Sequence, residues 1–162
     1  MDSAPAFLLA RLHEGNPDER WWAVRVLSEL SQVEARAAVR RALDDSNHEV
    51  RLCAALALRN HPDPEALSKL GELLTAEERL LARLAGDALI GLGDLATPIL
   101  VDTLENGPQI ARVEAVRALA HTDDLQAVSA LFNCLDDESA IVAYWVDLAL
   151  ERRGIGMVFY NQ

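Results

Sequence analysis

The residues of this chain best able to do chemistry are four histidines and two cysteines. His13-Glu14 and His48-Glu49 each set an imidazole beside a carboxylate, donor types that hold divalent transition metals. Cys53 and Cys134 lie far apart and form neither a CxxC metal pair nor a disulfide framework. They read as reduced thiols acting as small apolar residues, which fits a reducing compartment. No HExxH, P-loop, GxSxG or GxGxxG sequence occurs. Whether the histidines and carboxylates converge depends on the elements that carry them.

Those elements repeat. Leu27, Leu58, Leu89, Leu119 and Leu150 follow one another at a spacing of about thirty-one residues, as do Leu12, Leu43, Leu74, Leu104 and Leu135. A third column is alanine throughout: Ala4, Ala35, Ala66, Ala96 and Ala127. A period of this length marks stacked units, each burying its apolar face only against its neighbours. Sparse aromatics with abundant Ala and Leu favour helices over strands.

Ala4, Leu8 and Leu12 stripe one face of a first helix. After the break at Gly15-Asn16-Pro17, a second helix is predicted over about residues 18–30. Asp18 caps it, and Ala23, Val26, Leu27 and Leu30 form its buried stripe. The pattern recurs in each unit. Pro62 and Pro64 close the second unit, and Gly91 and Gly93 the third. The prediction is an all-α array of about ten helices in five antiparallel pairs, over about 3–31, 32–62, 63–93, 94–122 and 123–152. It forms a single domain over 1–162, with 153–162 a C-terminal tail or cap.

A formal net charge of −11 argues against nucleic acid or anionic lipid, which need clustered Lys and Arg. No stretch approaches eighteen uninterrupted apolar residues, so no membrane span is expected. The first residues lack a basic n-region and read as the first helix rather than a signal peptide. A cytoplasmic location is expected.

Second helices reading Val50-Arg51-x-x-Ala54-Ala-x-Ala-Leu58 and Ala111-Arg112-x-x-Ala115-x-x-Ala118-Leu119 resemble HEAT-like repeats. The short period is similar to that of the subtype named after phycobilisome (bilin) lyases. Arg20-Trp21-Trp22-Ala23-x-x-Val26-Leu27 matches in the same way, whereas Ala82 and Ala143 interrupt the Arg column. The resemblance implies a right-handed α-solenoid that binds other proteins on its concave face. One HEAT-like enzyme, deoxyhypusine hydroxylase, binds iron through His-Glu pairs at equivalent repeat positions. Here His13 aligns with Asp44 and His48 with Pro17, so neither a metal site nor catalytic residues are expected, and no cofactor.

In such an array the second helices line the concave side. Subtracting their buried stripe leaves a ladder predicted to be exposed: Trp21, Leu52, Arg83, Val113 and Tyr144. One flanking row is Val24, Ala55, Gly86, Val116 and Asp147; the other is Arg25, Leu56, Asp87, Arg117 and Leu148. An apolar groove with aromatic ends and a few charges suits a protein partner. The alternative implied by the resemblance is a bilin lyase subunit or chromophore-handling protein, with Trp21, Trp22, Tyr144 and Trp145 stacking on a tetrapyrrole. Twelve acids fall in the turns between first and second helices, where they cap amides or form an edge that steers a basic partner. The apolar run Met157-Val158-Phe159-Tyr160 caps the last unit or docks elsewhere, and a homo-oligomer through the array ends or this tail is a further expectation.

Overall fold

Alanine at close-approach positions and leucine one turn later make a chain that can stack helices but cannot close a single pair on itself. The structure, a computed structural model, describes residues 4–155. The helices are α1 (Ala4–Glu14), α2 (Pro17–Leu27), α3 (Val33–Arg41), α4 (His48–Asn60) and α5 (Leu67–Leu73), then α6 (Arg79–Gly91), α7 (Thr97–Asn106), α8 (Gln109–Leu119), α9 (Leu125–Asn133) and α10 (Ala140–Arg152). Short 3₁₀ turns at Ala42–Asp44, Pro64–Ala66 and Gly93–Ala96 adjoin α3, α5 and α7, and no strand is present among the described residues. Consecutive pairs, α1–α2 to α9–α10, are units one to five. The run Met157–Tyr160 lies outside the described residues.

The helix ends follow local chemistry. At α2 the cap is Asn16, two residues before the expected Asp18. Its side chain accepts from the Glu19 amide while the Glu19 carboxylate accepts from the Asn16 amide, and Pro17 takes the first helical position. The helix stops at Leu27 rather than Leu30, where the Ser28 hydroxyl donates to the Arg25 carbonyl. Leu30, beyond the helix, is only half-buried, and Val26, expected in the stripe, is exposed on the face turned away from unit two. Asn47 caps α4 through the amides of Glu49 and Val50. Beyond α6, Gly93 takes φ +59, the left-handed geometry that releases the chain into the next turn. Cys134 is the residue that follows α9.

The leucine and alanine columns form one continuous core. Leu27, Leu89 and Leu119 are wholly buried, as are Leu74 and Leu104, and the alanines at 35, 66, 96 and 127 lie beneath them. Second helices pack on one another along the stack more extensively than first helices do, which makes them the inner layer of a curved array. Charged junctions reinforce the stacking. Arg20 grips Asp45 of the next unit through two 2.8 Å bonds, and Arg112 meets Asp137 at 2.8 Å. Arg51 donates to the Asp45 and Ser46 carbonyls and lies 3.6 Å from Glu78. Where Ala82 breaks this column, the facing turn is Asn106-Gly107-Pro108, which offers no carboxylate.

The candidate binding face

On a second helix, residues spaced by three and four share one face. The exposed inner face of the stack is therefore built from three rows rather than from isolated positions. Tyr144 is 63% exposed at one end of the central row, and Arg83 projects from its middle. Leu52 and Val113 are half-buried, and Trp21 packs partly on the core. In the next row Arg25 and Leu56 are exposed, whereas Asp87 and Leu148 are half-buried. Asp147, in the other flanking row, is also half-buried.

Two expectations are corrected. Val24, Ala55, Gly86 and Val116 are buried, because their row faces the following unit instead of the groove. A Cβ at Gly86 would stand 3.2 Å from the Arg117 guanidinium. Arg117 itself is only 7% exposed and not free to meet a partner. It bonds Asp87 at 2.8 Å and Glu114 at 2.8 Å, and donates to the Arg83 carbonyl at 3.3 Å. Arg59 and Arg83 each lie 3.8 Å from Asp87. The charges at the middle of the face thus neutralise one another and tie units two to four together.

A third row was passed over in the sequence. Leu80, Ile110 and Ile141 occupy the column that holds Asp18 and Glu49 in the first two units, and they are 55%, 49% and 47% exposed. Each stands one turn before a ladder residue, so Ile110-Val113 and Ile141-Tyr144-Leu148 form a continuous apolar strip across units four and five. The signal was the switch in that column from acid to branched apolar residue, at a position otherwise read as the acidic start of a helix.

Burial pushes the Cys53 thiol pKa up, and burial with nearby Asp137 and Glu105 does the same for Cys134. Both stay protonated and poorly nucleophilic. His48 lies 2.9 Å from its neighbour Glu49, and His61 lies 3.7 Å from Glu29. Among the described residues no group of three or more His, Cys, Asp or Glu side chains is placed to hold a metal ion. No helix there is long and apolar enough to cross a membrane. Of the acids at the turns, Glu19, Asp44, Asp45, Glu78, Asp137 and Glu138 pair with Arg or Lys.

The profile of the HEAT repeats family matches residues 5–90, just over half of the sequence. The chain belongs to the HEAT repeat family. A comparison with curated proteins finds no match. Among solved structures it is similar to the complex of CpcE and CpcF of phycocyanin lyase from Nostoc sp. PCC7120, at 19% identity and TM-score 0.65. That alignment covers 94% of this chain and 65% of the other, so this HEAT protein spans under two thirds of the neighbour's length. A designed armadillo repeat protein aligns at 21% identity and TM-score 0.54, covering 93% of this chain and 82% of that one. Another, in complex with the peptide (KR)4, aligns at 21% and 0.53, covering 96% and 87%. At these identities the likenesses establish the α-solenoid fold alone.

Proposed function

We propose that this HEAT protein is a non-enzymatic scaffold or adaptor that binds a partner protein along the inner face of its second helices. The carrying observation is the exposed strip of Ile110, Ile141 and Tyr144, continued by half-buried Val113 and Leu148. Isolated exposed apolar residues are ordinary, but a contiguous strip beside a self-neutralised charge cluster is the composition of an interface core and its rim. Solenoid neighbours solved with a protein or peptide bound support a partner of the same kind.

The test places a photo-crosslinking amino acid at Tyr144 and, as a control, at Leu125 at the start of α9. Crosslinking to a defined protein from 144 but not from 125 is expected. Equal or reversed yields would remove the inner face from consideration.

A second reading, a bilin lyase subunit, draws on the likeness to the phycocyanin lyase complex. Trp21 and Trp22 meet edge-on with centroids 4.9 Å apart, as do Tyr144 and Trp145 at 5.8 Å. These pairs sit in units one and five, so a single tetrapyrrole would use one and not both. Incubation with a free bilin should then give an induced visible circular dichroism that W21A or Y144A abolishes; a flat spectrum rejects this reading.

A further inference from the structure

The face that unit one turns away from the stack is built unlike any internal junction. Three columns face the preceding unit along the array. Ile99 lies against Gly71 of the unit before it. In a second column the Cys53 thiol is 3.8 Å from the Trp21 carbonyl of the unit before it, and Glu114 approaches Gly86 in the same sense. Ala57, in the third, lines one cleft with Leu27 and Ser28 of unit one. In unit two these columns hold Ala38, Cys53 and Ala57, all buried by the neighbour. In unit one they hold Phe7, Trp22 and Val26, which are 55%, 63% and 43% exposed. A repeat that merely ends an array carries polar residues there. This one carries larger apolar side chains there than unit two does.

Two further columns say what does not cover the face. Glu19 stands where Val50, Leu81, Ala111 and Val142 are buried, and Arg11 where Ala42 is buried. Another helix pair stacked in register would bury both charges. Instead they sit together at the rim of the apolar patch, 3.2 Å apart, with the Arg11 guanidinium 5.2 Å from the centre of the Phe7 ring.

We propose that this face is a two-fold interface with a second copy of the chain. An isologous contact requires a surface complementary to itself. An aromatic centre flanked by one cation and one anion meets that requirement: Arg11 of each copy comes opposite Glu19 of the other, while Phe7, Trp22 and Val26 close the middle. The face is small. Two helices of eleven residues offer less than the roughly 800 Å² per partner of a standard interface, so the dimer exchanges with monomer at micromolar or higher concentration.

Sedimentation velocity on the full chain, from about 1 µM to about 1 mM, reads the association directly. Wild type passes from monomer to dimer across this range. Trp22→Glu, a substitution at an exposed position, stays monomeric at the top concentration. R11E and E19R each raise the dissociation constant about tenfold or more, because each sets like charges opposite one another. A mixture of R11E with E19R regains dimer, since the two copies then carry opposite charges at the rim. E19R also gives up the bond to the Asn16 amide, so helical circular dichroism is followed in every variant. A wild type that stays monomeric throughout, a W22E dimer as tight as wild type, or a mixture that fails to associate overturns the proposal.

Discussion

Asp63 is the residue where burial and charge compete most directly. It is 2% exposed at the junction of units two and three, with Arg40 at 2.5 Å and Arg36 at 3.0 Å. It also caps the turn Pro64–Ala66 by accepting from the Glu65 amide. Burial alone would raise its carboxyl pKa. The bonds from Arg40 and the Glu65 amide, with the charges of Arg40 and Arg36, outweigh burial and hold it below the usual carboxylate value. A folded pKa below the unfolded one, about 3.9 for Asp, means the stabilisation is present above that pH and is lost as pH falls through the folded value. Asp63→Asn should therefore cost about 2–4 kcal/mol at neutral pH, since Arg36 loses its carboxylate and Arg40 keeps only Glu65. It should also flatten the decline of stability below pH about 4. Urea midpoints at both pH values check this; parallel declines in wild type and variant would show that Asp63 does not carry the acid sensitivity.

At the scale of elements, the recurring Arg at the start of a second helix acts between units rather than towards a ligand. Arg112 and Asp137 are nearly covered, at 14% and 6% side-chain exposure, and bond at 2.8 Å. Arg112→Ala and Asp137→Ala, singly and together in a double-mutant cycle, should give a coupling of about 1–2 kcal/mol, above the roughly 0.2–1 kcal/mol of solvent-exposed pairs. A coupling near zero would make the column a solubility feature. How much the sequence disclosed divides along the same line. Helix pairing was legible because the periodic Leu and Ala columns belong to one face of one helix. The cap of α2 was misplaced by two residues because Pro17, fixed in φ, starts the helix itself. The binding face was only partly legible, because exposure there depends on which way each row looks along the stack. Val24 and Val116 turn towards the next unit, and Arg117 is drawn inward by Asp87 one unit back, a partner no local pattern announces.

The whole molecule is a one-dimensional stack, and its stability is expected to follow nearest-neighbour arithmetic rather than that of a closed core. Leu27 and Leu89 are both wholly buried and occupy the same column, yet they differ in what surrounds their units. Truncating such a leucine removes about 2–5 kcal/mol of local packing. Unit three is held on both sides, so Leu89→Ala weakens two junctions and the global transition with them. Unit one is held on one side, and can open alone before the rest. The loss from Leu27→Ala is therefore bounded by the stability of that unit. Urea melts should show the larger shift for L89A, and native-state hydrogen exchange should find α4, α6 and α8 slowest, with α1 and α2 opening at lower free energy. The two-fold contact adds a second dependence, since raising protein concentration should slow exchange in α1 and α2 while leaving α9 unchanged. Equal losses for the two leucines with uniform protection would mean that the five pairs melt as one unit, and the nearest-neighbour description would fail.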